Sequence, residues 1–130
     1  MLRAATLSLA LFAPLFALSC GSGSDALGVA AECASDEECQ AQGVDTLSCL
    51  TQFRGGYCGL AGCAANADCP EDAICVTHTD QQNYCFKVCG DKSECNTHRS
   101  VDNEANCSAN IVRVEAGSAR ACIPPSSGTL

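Results

Sequence analysis

The residues of this chain that can do chemistry are its cysteines. From Cys63 to Cys89 the sequence reads C-AANAD-C-PEDAI-C-VTHTDQQNY-C-FKV-C. The opening Cys-x5-Cys recurs as C-ASDEE-C at Cys33 and C-GDKSE-C at Cys89, each with an acidic residue before the second cysteine. Two more cysteines follow each pair. This makes three groups of four: Cys33, Cys39, Cys49, Cys58; then Cys63, Cys69, Cys75, Cys85; then Cys89, Cys95, Cys107, Cys122. Thiols at such density can form disulfides, ligate a metal or carry a lipid. Thirteen cysteines in 130 residues is the composition of a disulfide scaffold, and such scaffolds form outside the reducing cytosol.

Zinc sites favour cysteines two to four residues apart, combined with further Cys or His. Cys85 and Cys89 have that gap, but their neighbours keep the five-residue gap instead, so no metal is expected. Four cysteines allow three pairings, and sequence does not choose among them. The expected pairing is first with third and second with fourth: Cys33–Cys49, Cys39–Cys58, Cys63–Cys75, Cys69–Cys85, Cys89–Cys107 and Cys95–Cys122. Crossed bridges of this kind tie two short loops to one hairpin and leave no end loose. In the chain-entropy picture a closed loop of about 15 residues contributes about 3 kcal/mol.

Staples are needed because the apolar content is thin. After residue 19 the only aromatics are Phe53, Tyr57, Tyr84 and Phe86. Such a core does not offset backbone entropy of about 1–2 kcal/mol per residue. The expected fold class is small and disulfide-rich: three tandem four-cysteine units of short β-hairpins and loops, little regular secondary structure, and an N-terminal signal helix. The units span 33–58, 63–85 and 89–122, with a tail at 123–130. In the first, Ser35 or Asp36 caps a short helix over Glu37 to Gln42, and strands over Leu47 to Phe53 and Tyr57-Cys58 flank Arg54-Gly55-Gly56. Paired glycines suit a hairpin that needs positive φ. In the second, Ile74 to Thr77 and Asn83 to Phe86 flank a turn near Asp80 to Gln82. In the third, Ile111 to Val114 and Ala119 to Ile123 bracket a hairpin turn at 115–118. Pro124 onward ends regular structure, and the tail is expected to fray.

Residues 1–19 carry a positive start at Arg3, an apolar run from Ala4 to Leu18, and Ser19. The 15-residue run is short of the roughly 20 residues that span a bilayer and fits a signal peptide. Ala17-Leu18-Ser19-Cys20 resembles the bacterial lipobox, although Ala17 stands where the commonest lipobox has Leu. The resemblance implies cleavage before Cys20 and a diacylglycerol on its thiol, and Gly21, lacking the Asp inner-membrane retention signal, implies the outer membrane. The same residues also fit an ordinary signal peptidase site, which would leave the protein secreted. An odd cysteine in an exported chain needs an explanation, and a lipid on Cys20 leaves twelve. Residues 20–32 then read as a flexible tether with a reach of about 20 Å, which makes the membrane a partner through the lipid.

The net charge of −8 excludes nucleic acid as a partner, since phosphate contacts need clustered Lys and Arg. C-ASDEE-C and C-AANAD-C-PEDAI-C-VTHTDQQNY-C-FKV-C resemble the N-terminal cysteine-rich region of Dickkopf proteins over about residues 33–95, the third unit only loosely. They also look like a pattern of cysteine-rich exported bacterial lipoproteins. The resemblance implies a shared small fold and carries over no receptor, because a fold is not a function.

No nucleophile, base and orienter can be assembled from these residues. His78 and His98 stand in polar stretches, away from any G-x-S-x-G. Neither enzyme activity nor a cofactor is expected. Asp36, Glu37, Glu38, Asp68, Glu71 and Asp72 lack the D-x-D-x-D-G calcium loop and are expected to cap turns or face water. The expected function is that of a non-catalytic, lipid-anchored, exported protein, a binding or structural module at the cell envelope with an unknown protein partner. The alternative is a secreted protease inhibitor whose loop presents Arg54 as its specificity residue.

Overall fold

Short antiparallel strands and single helical turns, joined by six disulfides, make up the chain. The computed structural model describes residues 28–40 and 46–127. The signal helix and Cys20 lie outside the described residues, and the helix expected over Glu37 to Gln42 instead runs from Asp36 to Cys39, with Gln40 as its C-cap. The helical pieces are α1 (Asp36–Cys39), α2 (Lys92–Cys95) and 3₁₀ turns at Asn66–Asp68 and Val101–Asn103. Three of these four fill the five-residue gap between a first and a second cysteine, which has room for one turn. Each such turn is closed by the acidic residue before the second cysteine. Its carboxylate accepts the backbone N–H that follows the first cysteine: Glu38 from Ala34 at 2.7 Å, Asp68 from Ala64 at 2.8 Å, and Glu94 from Gly90 at 2.9 Å. Ser35 makes no side-chain cap bond, whereas Asp91 caps α2 by accepting from Ser93 and Glu94.

The strands are β1 (Ser48–Cys49), β2 (Cys58–Ala61), β3 (Ala73–Thr77), β4 (Asn83–Cys89), β5 (Asn106–Ser108), β6 (Val112–Arg113) and β7 (Arg120–Ile123). The order is β1-β2-β4-β3-β6, with β7 joined to β4 and β5 to β7. β4, the longest, pairs with β3 along Asn83 to Lys87, with β2 at Tyr84 and Cys85, and with β7 at Val88 and Cys89. One strand therefore contacts all three cysteine segments. Within each segment the third and fourth cysteines face each other across a strand pair: Cys49 and Cys58, Cys75 and Cys85, Cys107 and Cys122.

The interior combines half-cystines with one aromatic group. Phe53, Tyr57, Tyr84 and Phe86 are buried, and their rings meet edge to face or tilted at 5.2–6.1 Å, with His78 among them. The Tyr57 hydroxyl donates to the Cys122 carbonyl and accepts from Lys87 N–H, both at 3.1 Å. Burial pushes its pKa well above the ordinary tyrosine range.

Four further expectations are corrected. The 115–118 hairpin does not form. Ala121 of β7 already pairs with Val88 and Ser108, so both edges of that strand are taken, and β6 pairs with β3 instead. The strand expected over Leu47 to Phe53 shortens to Ser48–Cys49, because the chain then turns to bury Leu50 and Phe53. The tail does not fray at 125–127: Arg54 N–H donates to the Pro125 carbonyl, and Ser127 N–H to that of Gln52. The last residues of the tether region also dock. Val29, Ala30 and Ala31 are buried, and residues 30 and 31 exchange backbone bonds with Cys58 at 3.0 and 2.9 Å.

Two glycines give a clean contrast. A Cβ on Gly56 would lie 2.1 Å from the Cys33 carbonyl oxygen, whereas one on Gly62 would meet nothing. Both have positive φ. Gly62→Ala is expected to cost about 1–2 kcal/mol, the left-handed penalty alone. Gly56→Ala should cost well beyond that, because backbone must move. Urea midpoints of the two oxidised variants check the order; equal losses would contradict it.

Candidate functional site

Six bridges join Cys33 to Cys49, Cys39 to Cys58, Cys63 to Cys75, Cys69 to Cys85, Cys89 to Cys107 and Cys95 to Cys122. The third and fourth cysteines are strand neighbours, so the two bridges of each segment lie side by side and form three compact sulfur clusters. The Cα separations repeat: 5.8, 5.9 and 5.9 Å for the first bridge of each segment, and 5.3, 5.4 and 5.3 Å for the second. A disulfide sulfur is not a thiolate, so in this oxidised state the clusters are covalent staples.

The most connected polar group is Arg99, which the sequence reading did not single out. Only 9% exposed, its guanidinium donates to four backbone carbonyls: Asn103 at 2.7 Å, Arg54 and Gly56 at 2.9 Å, and Ala30 at 3.1 Å. It also lies 5.8 Å from the Tyr57 ring centre. One side chain thus ties the N-terminal strip, the glycine loop and the Val101–Asn103 turn together. Burial lowers its pKa, partly offset by the Glu32 carboxylate. Glu32 accepts from the Ser100 N–H and hydroxyl and from the Asn103 amide. Burial alone would raise the Glu32 carboxyl, but these bonds and the Arg99 charge outweigh it and hold the group below the usual carboxylate range.

Arg54 projects an exposed side chain, but its main chain is committed. Its N–H donates to Pro125 and its carbonyl accepts from Arg99, and Gly55 and Gly56 after it are left-handed at φ 77° and 68°. Both main-chain groups of Arg54 are therefore engaged within the protein. His78 and His98 are not brought to a common site: His78 joins the aromatic group, while His98 is exposed and lends only its carbonyl to Glu32 N–H. His78 Nε2 is buried with no hydrogen-bond partner. Two shallow clefts flank this ring, one of about 440 Å³ against Val76, Ile111 and Val112, the other of about 250 Å³ against Phe53 and Asp80. Of the acidic residues, Glu38 and Asp68 close their own turns and Asp36 accepts the Cys49 N–H at 2.7 Å. Glu37, Glu71 and Asp72 face solvent.

Comparison with known proteins adds no identity: no family model, no curated protein and no solved structure matches the chain. Six disulfides mark the product of an oxidising compartment. Among the described residues no helix is long and apolar enough to cross a membrane.

Replacing Arg99 by Ala removes four charge-assisted bonds and leaves buried carbonyls unpartnered, with an expected loss of about 2–4 kcal/mol. Arg99→Lys should recover only part, since an ammonium has three donors for four carbonyls. Urea unfolding with the bridges intact measures both. Acid titration gives a second test. Hydrogen bonds from Ser93 and Glu94 hold Asp91 low, and at Asp80 the bonds from Tyr84 and Gln82 outweigh the upward push of burial. A carboxyl depressed in the folded state contributes stability above its unfolded pKa and loses it as pH falls through the folded one. The thermal midpoint should therefore hold steady from about pH 8 to about pH 5 and fall below about pH 4. Glu32→Gln should make that fall shallower.

Proposed function

We propose that this chain is an exported, lipid-anchored, cysteine-rich protein without catalytic activity. It acts as a binding or structural module at the cell envelope, held through Cys20 in the bacterial outer membrane. The observation that carries this reading is the sulfur count. The bridges use twelve of the thirteen cysteines, and the thirteenth is Cys20, in the lipobox-like Ala17-Leu18-Ser19-Cys20. Eight positions separate Cys20 from Gly28. Even fully extended they span at most about 30 Å, which keeps the folded part beside the bilayer.

The same reading treats the three segments as copies of one unit, of the kind whose cysteine spacing resembles the Dickkopf region. Its support is the shared closing bond of the Cys-x5-Cys loop, the facing third and fourth cysteines, and the repeated Cα separations. Asp36 and Asn66, each three residues after a first cysteine, also accept the N–H of the third cysteine in their own segments. Lys92 holds that place in the last segment and pairs with Glu104 instead, which fits a copy that has diverged. The non-catalytic part rests on the sequence reading, in which no nucleophile, base and orienter can be assembled.

Metabolic labelling with palmitate in a bacterial host tests the anchor. The wild-type chain should take up label and fractionate with the outer membrane, while Cys20→Ser should lose the label and become soluble. An unlabelled wild-type chain ends the proposal.

A further inference from the structure

The three sulfur clusters gather cysteines from both bridges of each segment. In each, three sulfurs drawn from both bridges lie within 4.8 Å of one another: those of Cys33, Cys39 and Cys49; of Cys63, Cys69 and Cys85; and of Cys89, Cys95 and Cys122. The fourth sulfur of each cluster is covalently bonded to one of these three. Four thiolates around a tetrahedral Zn²⁺, at about 2.3 Å from the metal, stand about 3.8 Å apart. Among those three, sulfurs of different bridges need to close by at most about 1 Å to reach that spacing, and the fourth must swing in to join them. The bridged pairs open to it by side-chain rotation once the bond is cut.

We propose that each four-cysteine cluster is a latent zinc site, which binds one Zn²⁺ when its two disulfides are reduced, and that Cys89, Cys95, Cys107 and Cys122 form the tightest of the three. The balance is simple. Two equivalents of an external dithiol reduce the two bridges, leave as two disulfides, and give four thiols. These lose four protons to solvent and bind the metal as a tetrathiolate of net charge −2. Reoxidation sends four electrons to two equivalents of an external disulfide or quinone, remakes the two bridges and releases the zinc. Soft thiolates suit zinc over the harder divalent ions, and binding free energy at such a site becomes folding free energy. The reduced chain thus acquires a cross-linked state of its own, exclusive of the oxidised one.

The ranking follows from charge. Cys89, Cys95 and Cys122 are buried, and the Arg120 guanidinium stretches across their cluster. It donates to the Gly90 carbonyl at 3.1 Å and to the Cys107 carbonyl at 2.8 Å. That cation offsets the anionic metal centre. The loop of this cluster also holds Asp91 and Glu94, which Lys92 and Arg120 balance, whereas the loop of the first cluster holds Asp36, Glu37 and Glu38 with no basic residue. Like charge there opposes a tetrathiolate dianion.

The test uses the full chain with Cys20→Ser, so that only the twelve cluster thiols remain. It is reduced with a phosphine under inert gas and titrated with Co²⁺. Strong thiolate-to-cobalt absorption with tetrahedral d–d bands should appear and saturate at three equivalents per chain, and Zn²⁺ should displace the cobalt. The paired substitution Cys95→Ser, Cys122→Ser should remove one equivalent. Arg120→Gln should weaken the tightest site about tenfold, as loss of an outer-shell partner does elsewhere. Alkylation of the half-loaded protein should spare cysteines in fours that belong to one segment. A chain of identical composition in scrambled order is the control. Equal affinity in that control, absence of tetrahedral bands, or protection spread across segments would overturn the proposal.

Discussion

Everything in this fold depends on the placement of the third and fourth cysteines of each segment opposite one another on paired strands. Strand pairing brings two sulfurs to one spot. The two cysteines of the Cys-x5-Cys loop reach one sulfur each. The loop is held at its first residue by one bridge and at its last by the other, and its own carboxylate closes the turn between them. A two-stranded hairpin is marginal in water by itself. A hairpin capped by a doubly stapled turn has lost most of the unfolded-state freedom that makes it marginal.

Staples inside segments do not join the segments to one another. That task falls to non-covalent contacts, and three stand out beside the β3–β6 pairing and the aromatic group. β4 starts in the second segment and lends edges to the first and the third. Tyr57, from the first segment, is hydrogen-bonded to Lys87 N–H and the Cys122 carbonyl. Arg99, from the third, gathers carbonyls from the N-terminal strip and the glycine loop. Gly55 and Gly56 exist for this junction: a Cβ on the first would meet Asn103 and Glu32, and on the second Cys33. The short joints between segments, four residues between Cys58 and Cys63 and three between Cys85 and Cys89, leave no slack for the alternative of loosely strung modules.

What could be read from sequence was what is local. The Cys-x5-Cys loop, the turn-closing carboxylates, the β3–β4 hairpin and the disulfide-rich class all follow from residues near each other in the chain. The nonlocal features were opaque. β6 and β7 carry good local hairpin signals, yet β7 has its edges occupied by β4 and β5, and only the assembled sheet reveals that. Arg99 lies in Asn96-Thr97-His98-Arg99-Ser100, a polar run that looks like solvated surface, and its four acceptors come from positions 30, 54, 56 and 103. The strip Val29 to Ala31 passes for tether because its small apolar residues show no periodicity, while its burial comes entirely from what lies around it. The four aromatics looked too few to make a core. They suffice because the structure brings all of them into contact and surrounds them with half-cystines.

The docked N-terminal strip bears directly on how such a protein would work at a surface. A twelve-residue tether would let the folded part sample a wide shell above the bilayer. With Val29 to Glu32 fixed against Cys58, Arg99 and Ser100, a lipid on Cys20, as proposed, would be joined to the folded part at a defined place. That place would lie beside Arg99, where the first and third segments meet. The segment between them, with the clefts around His78, would then be held through β4 and not by the lipid. Losing Arg99 would loosen both the junction of the segments and the strip at which such an anchor would join the fold.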